Sequence, residues 1–278
     1  VNLVDLSSLA LKAVPNSMWK KINAIKYDMY VLKLRFNVIC GIILQKGALK
    51  MKINIFTVGG KTVTVHDNNS GRLVLLNNYD GDGSAELAAL ERLGCPSPDL
   101  IAVSGVNWEH DLSPFKAPAI RKNEPDFTGG AEEFLALLTN EILPQAEDML
   151  SRKPVFKAIA GYSLAGLFAL WSLYRCDNFD GAASISGSLW FEGFRAFAER
   201  ENLMREPAVI YLSLGDKEAK TRHPLMRTVQ ENTEALAAHY NEIGVKTVFE
   251  MNDGNHFKEP ELRTAKGIAA VLSTAGNV

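Results

Sequence analysis

The sequence has few cysteines, almost no net charge and no long apolar run, and each shortage closes off a class of protein. Cys40, Cys95 and Cys176 are widely spaced and form no C-x-x-C pair. That argues against a disulfide framework or a zinc site and fits buried thiols in a reducing compartment. Lys and Arg number 30 against 32 Asp and Glu, a formal net charge of −2, and no dense basic block is interleaved with aromatics. A nucleic-acid partner is therefore not expected. The most apolar N-terminal stretch, Tyr30 to Leu44, is interrupted by Lys33, Arg35 and Asn37. It is too short and too charged to span a membrane, and it lacks the small-residue cleavage site of a signal peptide, so the cytoplasm is the expected compartment. What remains is a chain of 278 residues, 47% apolar and 22% charged, enough for one sizeable α/β domain or two small ones.

Residues 1–50 stand apart, because their apolar positions follow no sustained period of two or 3.6. Met51 opens a clean pattern and is read as the biological start. Codons for Gln45 to Ala48 are able to spell a bacterial ribosome-binding site at a suitable distance upstream. The competing reading is an N-terminal extension that covers a sheet edge or mediates association. From Met51 on, Lys52–Val58 and Lys61–His66 flank Gly59-Gly60 and predict a β-hairpin. Strands are expected at 72–77, 99–104, 155–160, 179–185, 208–214 and 246–251. Helices are expected at about 84–93, 131–150, 164–175, 224–243 and 260–273, with Ser186–Trp190 entering another and Pro144 marking a kink or an early end. Strands alternating with helices mean a mostly parallel central sheet covered on both faces, preceded by an N-terminal hairpin, in a single domain over residues 51–278. The segment Asn78-Tyr-Asp80-Gly-Asp82-Gly83 mimics the start of an EF-hand loop, but its twelfth position is Ala89 and calcium is rejected. The long stretch Gly105–Gly130, rich in proline and aromatics, is read as an ordered wall of a site.

The run Val155-Phe-Lys-Ala-Ile-Ala-Gly-Tyr-Ser163-Leu-Ala-Gly-Leu-Phe-Ala-Leu-Trp171 reads as strand, sharp turn, helix, with one hydroxyl at the turn. A nucleophile elbow holds its serine in a strained conformation, so small residues must flank it, and Gly161 and Ala165 do. The bland alternative is an ordinary serine at a helix start. A serine nucleophile needs a base, normally a histidine oriented by a carboxylate. Of His66, His110, His223, His239 and His256, the last sits in a Gly/Asn-rich turn after the final strand and is preferred; His110, in the long wall loop, is its rival. Past the strand 208–214 lie Glu218, the preferred acid, and Asp216, its alternative, while Asp253 is a weaker third. The order Ser163, Glu218, His256 is that of nucleophile, acid and base in one class of α/β enzyme. Backbone N–H groups of Leu164 and Tyr79 are the expected oxyanion donors. Tyr162, Trp108, Trp190 and Phe115 are candidate pocket walls, with plain core packing as the alternative for each.

Gly161-Tyr-Ser-Leu-Ala-Gly-Leu-Phe-Ala-Leu-Trp, Ser186-Gly-Ser-Leu-Trp, Leu214-Gly-Asp-Lys-Glu-Ala-Lys-Thr-Arg222 and Gly254-Asn-His-Phe257 together resemble an esterase branch of the α/β hydrolases. That branch includes esterase D-like enzymes and siderophore-trilactone esterases; Asp111-Leu-Ser-Pro114 with Gly129-Gly130 resembles it too. The resemblance covers residues 51–278. It implies an α/β-hydrolase domain and a serine carboxylesterase that needs no cofactor and no metal, acting on a small-molecule ester, with a siderophore-type ester as its sharper version. Ala165 replaces the usual glycine and the oxyanion loop lacks a His-Gly signature. Some members use a Ser-His dyad, which leaves the acid open. The remaining alternatives are an acyltransferase on the same fold and an inactive hydrolase-like binding module. Oligomeric state is not legible.

Overall fold

The apolar runs assemble into one eight-stranded sheet. The computed structural model describes residues 52–274, so the readings made for residues 1–50 lie outside the described residues. In chain order the elements are β1 (Lys52–Val58), β2 (Lys61–Asp67), β3 (Arg72–Asn77), α1 (Ser84–Arg92), β4 (Asp99–Ser104) and α2 (Trp108–Asp111). Next come β5 (Lys116–Ala117), β6 (Phe127–Thr128), α3 (Ala131–Leu137), a π turn (Leu138–Ile142), α4 (Leu143–Glu147), β7 (Phe156–Tyr162) and α5 (Leu164–Ser172). The remainder is β8 (Gly181–Ile185), α6 (Phe194–Arg200), β9 (Val209–Gly215), α7 (Val229–Glu242), β10 (Thr247–Asn252) and α8 (Pro260–Thr274). Among the described residues, no helix is long and apolar enough to cross a membrane.

The sheet order is β1-β2-β4-β3-β7-β8-β9-β10. The hairpin β1–β2 closes through Gly59 and Gly60, whose φ values of 56 and 74 supply the two positive φ angles of a type I′ turn. It joins the sheet antiparallel to β4, and every pairing from β4 to β10 is parallel. Alternate residues of each central strand feed two separate cores. Leu73 and Leu75 face the core under α3, α5 and α7, while Val74 and Leu76 face the one under α1 and α8.

That division places the site. The chain leaves β3 for β4 on one side and leaves β7 for β8 on the other, so the strand order reverses between β3 and β7. Connections diverging at such a point open a crevice outside the carboxyl ends of the strands. The parallel register sets those ends level: Asn77 pairs with Gly161, Gly161 with Ser184, Ile185 with Ser213, and Gly215 with Asn252. Every loop carrying a candidate residue therefore starts along one edge.

Several elements refine the sequence reading. The helix over 131–150 is broken into α3, the π turn and α4 and ends at Glu147, the kink or early end expected at Pro144. Pro144 has no N–H to complete the helical ladder, and the widened turn lies just before it. The helix expected from Pro224 starts at Val229 after a 3₁₀ turn over Met226–Thr228, and the one expected to follow Trp190 directly starts at Phe194. The long stretch 105–130 is ordered, as expected, through α2 and the two-residue β5–β6 ladder.

At the opposite edge, Asp99 opens β4 fully buried and ties down the turn before β3. Its carboxylate accepts hydrogen bonds from the N–H groups of Asn68, Ser70 and Gly71 and from the Ser70 hydroxyl, all within 2.8–3.2 Å. Removing a charged acceptor strands buried donors. Asp99→Ala should therefore lower unfolding free energy in urea by roughly 2–4 kcal/mol. A midpoint equal to that of the wild type would show that the knot contributes nothing.

Candidate active site

Strand β7 and helix α5 cross so closely at the turn that a side chain at Gly161 has no room: a Cβ there would lie 2.4 Å from the Ala165 backbone. The methyl of Ala165 fits because it faces that hydrogen, and a Cβ at Gly166 would meet the Gly161 carbonyl at 2.9 Å. This close crossing holds Ser163 at φ 58 and ψ −121, a conformation that non-glycine residues seldom adopt. The departure at Ala165 therefore leaves the elbow geometry intact. Leu164 begins α5, so its N–H is one of the helix's first four, which have no acceptor within the helix.

The Ser163 hydroxyl lies 3.0 Å from His256 Nε2 and 3.2 Å from the Ser188 hydroxyl. His256 Nδ1 lies 2.6 Å from Glu218 Oε2. A carboxylate only accepts, so Nδ1 carries the proton and Nε2 is left to accept from the serine. The other oxygen of Glu218 accepts from the Gly215 N–H at 2.7 Å, the Ser186 hydroxyl at 2.8 Å and Arg263 Nη1 at 3.1 Å. Burial alone would raise the Glu218 carboxyl. The hydrogen bond and charge of His256, with Ser186 and the Gly215 N–H, outweigh it and hold the group below the ordinary glutamate value.

The turn that carries His256 is fixed from all sides. Asp216 accepts from the Gly254 N–H at 2.6 Å, so this alternative acid holds the backbone of the histidine turn instead of the imidazole. Arg263 Nη2 donates to the Asp253 carbonyl at 2.9 Å, and the Tyr162 hydroxyl donates to the His256 carbonyl at 2.6 Å. The Asp253 side chain, the weaker third candidate, is exposed and pairs with Lys258. The other described histidines are engaged elsewhere: His66 with the Asp82 carbonyl, His110 with the Thr128 hydroxyl, His223 with the Met226 N–H, while His239 lies on α7 against Tyr240.

Two cavities flank Ser163. The larger, about 520 Å³, is lined by Tyr162, Trp108, Tyr79 and the 77–83 loop. The smaller, about 80 Å³, lies against Ser188, Trp190 and Met226. Tyr79 is an exposed ring stacked edge-on against Trp108 at 5.2 Å. The preceding Asn78 N–H is committed to the Val103 carbonyl, which ties the root of this loop to β4. Phe115 lines neither cavity; it is half-buried and packs edge-on against Phe197 at the margin of the core. The sequence reading missed Arg263 and Ser188. A signal for Arg263 existed: it shares a helical face with Gly267 and Val271, where a charge is out of place unless it meets one.

Comparison with known proteins agrees with this architecture. The model of the family described as "Putative esterase" matches residues 85–258, more than half of the chain. An uncharacterized Bacillus subtilis protein, YbbA, is 24% identical over 160 residues, which are 56% of this chain and 64% of that protein's length. Among solved structures, the siderophore hydrolase EstA from Aspergillus nidulans superposes with a TM-score of 0.65 at 19% identity, over 84% of this chain and 97% of that one. The enterobactin esterase Fes from Shigella flexneri does so with a TM-score of 0.59 at 17% identity, over 82% of this chain and 60% of that one. At such identities the structural likeness speaks for the fold, while the family match speaks for kinship: the chain belongs to this esterase family and carries its α/β-hydrolase domain.

Proposed function

We propose that this protein is a serine esterase that cleaves carboxylic esters through an acyl-enzyme on Ser163. The observation that carries the reading is the continuous chain Ser163 Oγ, His256 Nε2, His256 Nδ1, Glu218 Oε2, with spacings of 3.0 and 2.6 Å, at the mouth of two cavities. His256 takes the Ser163 proton as Oγ attacks the acyl carbon, then returns it to the departing alkoxide as the ester C–O bond breaks. Water, deprotonated by the same imidazole, attacks the acyl-enzyme, and the proton passes back to Ser163. Glu218 keeps the imidazole in the accepting tautomer and stabilises its cation. The N–H groups of Leu164 and Tyr79 serve the oxyanion. The chemistry asks for no metal or organic cofactor. The structural relatives named for siderophores and enterobactin make ester-linked siderophores the first natural substrates to assay.

Fluorophosphonate should label the wild-type chain and not Ser163→Ala, and a short-chain p-nitrophenyl ester should be hydrolysed. Ser163→Ala and His256→Ala should each lower kcat on the order of 10⁶-fold, and Glu218→Gln on the order of 10⁴-fold. An unlabelled, folded wild type, or full activity in His256→Ala, would overturn the assignment.

Glu218 also predicts a pH dependence of stability. Its folded value is depressed, so its ionised network stabilises the fold above the unfolded glutamate pKa and that contribution is lost as pH falls through the folded value. Glutamine imitates the protonated acid beside Arg263. Wild type should therefore exceed Glu218→Gln in urea stability at neutral pH, and the gap should close as pH falls below the ordinary glutamate range. A gap constant with pH would mean that the charge of Glu218 does not contribute.

A further inference from the structure

Carboxylates in the interior of this protein have partners. Glu218 meets Arg263 and His256, Asp111 meets Lys61, and Asp99 meets four donors. Glu86 has fewer: the Asn78 side chain and its own backbone N–H. It is 7% exposed, lines the larger cavity beside Ser163, and has no lysine or arginine within ion-pair distance among the described residues. An acidic residue in the first turn of a helix is ordinary on a surface, where the helix dipole favours it. This one is in the first turn of α1 but buried against a cavity. Three further carboxylates, Asp80, Asp82 and Glu261, stand exposed around the same space, and none of them forms an ion pair either. No lysine or arginine lines the cavity among the described residues, although the chain as a whole carries nearly equal numbers of both signs.

A further feature indicates that the space is built to receive something. The wall facing the nucleophile is aromatic: Tyr79 and Trp108 stack edge-on, and Tyr162 and Phe257 flank His256. Aromatic faces next to unpaired carboxylates attract an organic cation by ring quadrupole and by charge, and both effects strengthen where water is excluded. Burial, with the charges of Glu261 and Asp82, raises the Glu86 carboxyl against the lowering effect of its own backbone N–H and the Asn78 side chain.

We propose that the larger cavity receives an ammonium-bearing portion of the ester substrate, with Glu86 as buried counter-charge and Tyr79 and Trp108 as aromatic wall. This rests on the esterase reading and narrows it. An anionic substrate portion meets four carboxylates here and no cation.

The test compares two pairs of esters on the full chain: acetylcholine with its neutral tert-butyl isostere, and the p-nitrophenyl ester of γ-trimethylammonio-butyric acid with its tert-butyl isostere. The first pair puts the charge in the alcohol, the second in the acyl group. In at least one pair kcat/KM should favour the ammonium member by about 10- to 100-fold. That ratio should fall toward unity in Glu86→Gln and part of the way in Glu261→Gln. The rim variant alters an exposed residue, so it keeps the test alive should Glu86→Gln not fold. Neutral esters preferred or equal in both pairs, or a ratio that neither variant moves, would overturn the proposal and leave the esterase reading standing. Should no ester turn over while Ser163 still labels, protection from fluorophosphonate by tetramethylammonium decides instead. Protection that weakens in the variants supports the cation site, and its absence overturns it. Loss of both labelling and turnover strikes the esterase reading itself, and the proposal with it.

Discussion

The Glu218 carboxylate is the point at which the separate pieces of this protein meet. One oxygen gathers the end of β9 through Gly215, the end of β8 through Ser186 and the start of α8 through Arg263. The other takes the imidazole at the end of β10. Four elements distant in sequence are thereby referred to one group about 3 Å across its contacts. The ion pair with Arg263 is almost wholly buried, the side chains being 3% and 4% exposed, and isolating either charge there would be strongly unfavourable. The pair's value lies in orientation: with one oxygen saturated, the other has a single direction in which to point.

Around that point the histidine turn is held redundantly. Arg263 reaches the Asp253 carbonyl with its second nitrogen, Asp216 takes the Gly254 N–H, and Tyr162 takes the His256 carbonyl. Tyr162 adjoins the strained serine in sequence, so the residue next to Ser163 also positions His256. The strain at Ser163 persists because β7 and α5 pack too closely at Gly161 for the turn to relax.

The sheet explains why one edge collects these groups and why two cavities arise. The reversal of strand order at β3 and β7 sends α1 and α5 to opposite faces, so the loop after β3 and the elbow after β7 diverge and leave space between them. That space is the larger cavity, and α1 delivers Glu86 to it. The smaller one lies across Ser163, beneath the Ser186–Trp190 loop. Ser163 thus has open space on both sides, with very different linings in each.

Much of this was local and hence legible in the sequence. Apolar runs with period two or none, turn glycines and helical spacing determine the strands and helices, because hydrophobic periodicity and backbone sterics act over a few residues. The small residues around Ser163 and the turn around His256 mark those two positions for the same reason. Choices among neighbours on one loop belonged to the tertiary structure. Asp216 and Glu218 are two residues apart after the same strand, and only the position of the last turn decides that one holds its backbone and the other its imidazole. Phe115 packs against Phe197 instead of lining a cavity, and Arg263 and Glu86 gain their meaning from what packs against their helices. Charges and rings are assigned roles by distances across the fold, which depend on how whole elements dock. The order of residues along the chain determines which elements form; their docking decides which side chains meet.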